Sequence, residues 1–300
     1  MSFPYLSDVV QTFIGISLPL PLPMFGLFVG LAVVLASVFL KQELRRMYAA
    51  GQIGMATISG KGAVGATMAH PKTVVADLAF VVTLAGIVGA RLFHVLENLD
   101  QFFADPASMI FNRSGLSIFG GLIVGTLAGI VCMKRWKLPL RPMLDAAAPA
   151  MMLGYALGRV GCQVSGDGDW GSVANMALKP GWLPNWFWAQ SYENNVVGIL
   201  IPAPGVYPTP MYESLMGFAC FGLLWSVRKH PFQAGWLFSL YLLLAGIERL
   251  LIEQIRINPV LNFFGLHATQ AEFISVTIMV FGMAGLVLLS HRPKLKKDEK

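Results

Sequence analysis

Residues 235–256 read GWLFSLYLLLAGIERLLIEQIR, and this stretch decides what kind of protein the chain builds. Residues 235–252 form a mostly apolar run in which Glu248 and Arg249 are the charged members. That run is too long for a strand and approaches the about 20 residues a helix needs to cross a bilayer core. The far end is different: Glu248, Arg249, Glu253 and Arg256 crowd into it. Arg249, Glu253 and Arg256 stand at i, i+4 and i+7, which places them on one helical face. Ionisable groups in a membrane span are costly, so a face built of them marks a function.

Working outward, six more runs of similar length appear at 22–40, 74–96, 116–133, 144–162, 211–227 and 273–289. The expected fold is an all-α polytopic membrane protein of seven transmembrane helices, one membrane domain over residues 1–300. Composition agrees: hydrophobic residues make up 55% of the chain and charged ones 13%, against about 25% charged in soluble domains. The mean hydropathy is +0.63. The fourth run is rich in Ala, Gly and Met, which suits close helix packing better than lipid exposure. No internal repeat or heptad pattern is present, which weighs against an inverted-repeat transporter. The start, MSFPYLSDVV, has no basic region of the kind that opens a cleavable signal peptide.

The net charge of +6 is not spread as a nucleic-acid binder would spread it. Lys41, Arg45, Arg46, Lys61 and Lys72 follow the first span. Lys134, Arg135, Lys137 and Arg141 follow the third, Arg228 and Lys229 the fifth, and Arg292, Lys294, Lys296, Lys297 and Lys300 end the chain. These sixteen fall on one side of a seven-span topology; Arg113, Lys179 and Arg256 alone fall on the other. Positive residues favour the cytoplasm, so the N-terminus is expected outside and the C-terminus inside. Cys132, Cys162 and Cys220 form no CxxC or Cys/His pattern, so neither a disulfide framework, a metal site nor a cofactor is expected.

Residues 163–210 are a different material, with Gly, Pro and Asn beside Trp170, Trp182, Trp186 and Trp188. Aromatics with one polar edge favour the membrane interface, and at this length a structured external cap is expected between spans four and five. Arg91 and His94 in span two, Arg159 in span four, Glu213 in span five and the group in span six gather at the same outer level. Arg reads phosphate well because its planar fork makes paired charge-assisted hydrogen bonds and keeps its proton. Cations interleaved with carboxylates at this depth fit a phospholipid headgroup. The same groups could serve as interhelical salt bridges, and a proton-coupled transporter would need them to continue through the inner halves.

Several motifs carry a resemblance. LGYALGRVGCQVSGDGDWG (153–171), GARLFHVLEN (89–98), YPTPMYESL (207–215) and ERLLIEQIR (248–256) are joined by SGLSIFGGLIVG (114–125) and HATQAEFIS (267–275). In this order they resemble the prolipoprotein diacylglyceryl transferase family, from Pro21 to Leu289. The resemblance implies a transferase of the bacterial inner membrane. It would move the diacylglyceryl group of phosphatidylglycerol to the lipobox cysteine thiol of a prolipoprotein, giving a thioether and glycerol phosphate. It carries catalytic roles onto Arg249, Glu213, Glu253 and Asp167, and substrate binding onto Arg159, Arg91, Gly171 and Arg256. The chain departs from the pattern at Phe119, where many members have His, at Phe25 and Ala245 in place of Tyr, and at Cys162 in place of Asn. An extra residue before Trp170 lets Asp167 and Asp169 compete for the acid's place. A histidine base at 119 is therefore impossible, which leaves Asp167, Asp169, Glu213 or His94, or ionisation without a base. A phospholipid-binding homologue with altered catalysis and a small-molecule transporter are the other readings.

Overall fold

The computed structural model describes residues 2–291 apart from 18, 20–21, 60–65, 112–116 and 264–265. Pro21, Lys61, Arg113, the start of the 114–125 motif and the five tail cations thus lie outside the described residues. In chain order the helices are α1 (Leu6–Ile14), α2 (Met24–Ala49), α3 (Val75–Glu97), α4 (Leu99–Ala104), α5 (Pro106–Phe111) and α6 (Ile118–Arg135). They continue with α7 (Leu140–Ser165), α8 (Asn185–Trp188), α9 (Thr209–Val227), α10 (Trp236–Glu253) and α11 (Gln270–Leu289). Each of the seven expected spans has its helix, in α2, α3, α6, α7, α9, α10 and α11. The largest boundary difference is at α2, which runs on through Lys41, Arg45 and Arg46. These are good helix formers, and Arg46 pairs with Glu43 one turn back at 2.5 Å.

The chain is mostly helical, as an all-α membrane protein would be, and two short antiparallel hairpins accompany the helices. Strands β1 (Ala56–Ser59) and β2 (Ala66–Ala69) pair with Ala56 opposite Ala69, and β3 (Val260–Phe263) and β4 (Leu266–Thr269) pair with Val260 opposite Thr269. Four-residue segments with β-branched residues such as Thr57, Ile58 and Val260 are too short to show a period yet fit a pleated pair. Helix α1 is also additional. Its start is closed by the Tyr5 N–H donating to Asp8 at 2.9 Å, and Gly15 ends it in the left-handed region at φ 78°.

Among the described residues, four segments are long and apolar enough to cross a membrane: α2, Pro71–Glu97 (which ends in α3), α6 and α11. Only between 6% and 22% of their most apolar stretches is buried within the protein. A helix apolar on every side but so little covered by protein needs hydrocarbon around it. Residues such as Phe80, Phe281 and Leu288, each about two-thirds exposed, would otherwise face water.

The chain divides into two compact units, Ser37–Ala146 and Met1–Ala36 with Ala147–Lys300. In the first, α3 and α6 lie against each other through glycines. A Cβ on Gly89 would stand 2.5 Å from the Gly120 carbonyl oxygen and from Val124 Cβ. In the second, Gly282 of α11 approaches the Leu243 N–H of α10 in the same way. Small residues let membrane helices pack by backbone approach. The core of this unit is Ala148 and Met152 of α7, Leu224 of α9 and Leu237 of α10, with Phe221, Trp236 and Tyr241 around them. Helix α7 keeps Ala146, Ala148, Ala150, Met152, Leu153, Ala156 and Leu157 buried, which is the packing role its composition predicts.

Candidate functional site

Helix direction assembles the site. Arg159 lies in the last third of α7, Glu213 one turn into α9, and Arg249 and Glu253 at the end of α10. Glu213 is fully buried and is the centre. Arg159 Nε stands 3.4 Å from Glu213 Oε2, and Arg249 and Arg256 approach Oε1 at 3.7 and 3.9 Å. Arg249 also pairs with Glu253 at 2.9 Å, the i+4 partner read from the sequence. Asn258 fixes the other oxygen of Glu253 with a 2.7 Å hydrogen bond.

Above Glu213 sits Asp169. One of its oxygens pairs with Arg159 and the other accepts from Arg256 at 2.8 Å, so a single carboxylate bridges two guanidinium groups. Between the two candidates for the acid, Asp169 therefore joins the arginines. Asp167 turns back instead, and its Oδ1 accepts the Asp169 N–H at 3.3 Å. Asp169 is held from behind as well, since its carbonyl accepts from Thr209 at 2.6 Å. Burial alone would raise the Asp169 carboxyl, but Arg159 and Arg256 outweigh it and hold the group below the usual carboxylate range.

Tyr155 is a member of this site that sequence reasoning missed. Its hydroxyl lies 2.8 Å from Glu248 and 3.3 Å from Glu213, and the Arg159 guanidinium rests 5.3 Å from its ring centre. A tyrosine in an apolar run reads as core, and only its place one turn before Arg159 could have signalled more.

Gly171 is placed by packing. Its N–H donates to the Tyr207 carbonyl at 2.9 Å, and a Cβ there would stand 2.6 Å from the Ile255 carbonyl oxygen. Only glycine lets the 171–172 backbone pass so close to the chain that carries Arg256. Arg91 and His94 belong to the other unit. There Arg91 donates to the Met109 carbonyl at 3.1 Å, and His94 neighbours Asn98. Cys162 is buried, and its sulfur lies within 4.8 Å of carboxylate oxygens of Asp167 and Asp169.

Three cations with about one-seventh to one-quarter of each side chain exposed can hold a tetrahedral anion once Asp169, the most open of the acids, yields its place. Fixed cations of this kind also favour any reaction in which negative charge grows on that anion.

Comparison with known proteins gives the chain its relatives. Residues 11–288 match the family model described as prolipoprotein diacylglyceryl transferase. A phosphatidylglycerol–prolipoprotein diacylglyceryl transferase of Leptospira interrogans is 34% identical over 200 residues, 58% of this chain and 59% of that protein. One of Corynebacterium efficiens is 31% identical over 230 residues, covering 72% and 67%. One of Bacillus cytotoxicus is 28% identical over 244 residues, covering 81% and 80%.

Proposed function

Because the chain belongs to the prolipoprotein diacylglyceryl transferase family, we propose that it transfers the diacylglyceryl group of phosphatidylglycerol to the lipobox cysteine thiol of prolipoproteins. The cysteine sulfur forms a bond to the terminal glycerol carbon of the diacylglyceryl group. The carbon–oxygen bond to phosphate breaks, its electron pair leaves with glycerol phosphate, and the thiol proton passes to solvent. The phosphate changes from a singly charged diester to a monoester whose charge approaches two. Arg159, Arg249 and Arg256 meet that growing charge, while Glu213, Glu253 and Tyr155 hold them in place. The same cations favour the thiolate over the thiol.

The observation that carries this reading is the bridging of Arg159 and Arg256 by the two oxygens of Asp169. Two oxygens of one phosphate would make the same pair of contacts. The finer topology belongs to the proposal too: seven spans in the bacterial inner membrane, N-terminus outside, residues 163–210 as an external cap, and the arginines at outer-leaflet depth.

The test is purified protein given phosphatidylglycerol and a lipobox peptide, with the peptide's gain of a diacylglyceryl mass as readout. Arg159→Ala is expected to abolish transfer. Arg159→Lys should recover little, because a point charge cannot reproduce the fork. A Lys variant nearly as active as wild type would reduce Arg159 to a counter-ion. No mass gain with wild type would leave the altered homologue or the transporter.

A further inference from the structure

We propose that residues 189–191 are the edge strand on which the acceptor peptide docks, lying extended in the cavity beside them. This rests on the transferase reading for the identity of the peptide. The cavity, of about 570 Å³, is lined by Gln163, Trp186, Ala189, Gln190, Ser191 and Met211. Its size is that of a ligand site, in the range of about 300–1,000 Å³.

The backbone supplies the argument. Gln190 and Val206 exchange both hydrogen bonds at 3.0 Å, and Val206 is bridged on its other side by Val173. The chain at 205–207 is therefore the middle of three short extended segments, and 189–191 is an edge. In an antiparallel pair, residues flanking a hydrogen-bonded position turn their N–H and C=O groups the other way. Here these are Ala189 and Ser191, both lining the cavity. Among the described residues, the Ala189 carbonyl and the N–H and carbonyl of Ser191 have no hydrogen-bond partner. Such an edge is a template for an added strand.

The side chains set the ligand's chemistry. None of the six is charged. Gln163 donates to Gln190 at 2.8 Å and accepts from the buried Tyr192 at 2.7 Å, and Gln190 donates to the Trp186 carbonyl at 2.8 Å. Both carboxamides are thus held still, each with an N–H to spare. Held amides and a serine, beside an indole and a thioether, suit a neutral peptide backbone with apolar side chains and give a phosphate no cation. A three-carbon polyol would leave most of the volume empty. The location also serves transfer: Gln163 stands one turn beyond Arg159 on α7, and Met211 lies two residues before Glu213 on α9.

The experiment measures binding of a labelled lipobox peptide, its cysteine replaced by serine, to wild-type protein in phosphatidylglycerol nanodiscs. Single N-methyl groups are moved along the peptide backbone. Strand addition predicts that alternate positions lose about tenfold or more in affinity and their neighbours lose little. Because the protein is unaltered, misfolding cannot imitate that pattern. Ser191→Pro, which removes the edge donor, should raise the peptide KM about tenfold and leave the phosphatidylglycerol KM unchanged. A flat N-methyl scan, no peptide binding, or a change confined to the phosphatidylglycerol KM would overturn the proposal. Binding needs no transfer, so periodic binding without product would uphold the edge strand and sink the transferase reading. Transfer with a flat scan would do the reverse.

Discussion

Asp169 is the residue whose charge state is most exposed to test, since it lies outside the long helices and between two arginines. Its carboxyl is held below the usual range, burial being outweighed by Arg159 and Arg256. Folding therefore favours its ionised form. That contribution is complete above the ordinary carboxylate value of about 4 and is lost as pH falls through the depressed value. Wild type should melt above Asp169→Asn by a constant margin at pH 6–8, and the margin should close below about pH 4. With the side chain one-third exposed, the margin is expected to be small. Melting curves of both proteins across that pH range check it, and a margin that persists unchanged into strong acid would mean that the ion pairs do not stabilise the fold. Spacing on one helical face finds Arg249 and Glu253, which α10 carries. Arg256 instead lies past the end of α10 at Glu253 and reaches the site through the turn that follows, not along the helix face. Spacing could not choose between Asp167 and Asp169, because Gly166 and Gly168 both take positive φ, at 63° and 95°, and such a turn has no period to read. Gly171, which the resemblance marks for substrate binding, lies where its backbone packs against Ile255 with no room for a Cβ.

At the scale of elements, the α3–α6 contact makes a prediction by contrast. Gly86 and Gly89 lie one turn apart on α3, but a Cβ on Gly86 would meet the Gly121 carbonyl at an ordinary 3.6 Å, whereas on Gly89 it would meet backbone and Cβ atoms at 2.5 Å. Neither neighbour of Gly89 can swing aside, so the helices must part. Gly89→Ala should cost about 1–3 kcal/mol, the usual range for overpacking. Gly86→Ala should be neutral or slightly stabilising, since alanine is favoured over glycine in a helix by about 1 kcal/mol. Thermal melts of the two variants in detergent separate these outcomes, and equal stabilities would contradict the close approach. The long helices were legible because runs of apolar residues are a one-dimensional signal. The hairpins and α1 were not, because four- to nine-residue elements are chosen by local partners such as Asp8 beneath Tyr5 rather than by composition.

For the whole molecule the question is which way the chain threads the bilayer. The seven long helices among the described residues, an odd number, put the two ends of the chain on opposite sides if every one crosses. Sixteen of the 22 Lys and Arg then share the side of the C-terminus, and three share the side of residues 163–210. Carrying cationic loops outward is strongly disfavoured, so the threading with the C-terminus in the cytoplasm is the expected one. The same threading takes the ends of α7 and α10 and the start of α9, where Arg159, Arg249 and Glu213 meet, to the outer level. A reporter fused after Lys300 should thus be protected from externally added label, while a tag within residues 182–188 should be reached by it. The prediction is sharper than either result alone, because α9, α10 and α11 separate the two positions and an odd number of crossings must change sides. If both positions react from the same side, one of these three helices does not cross. Arg249 at the end of α10 and Arg256 just past it would then have no fixed depth, and a lipid phosphate in the outer leaflet could not be their ligand.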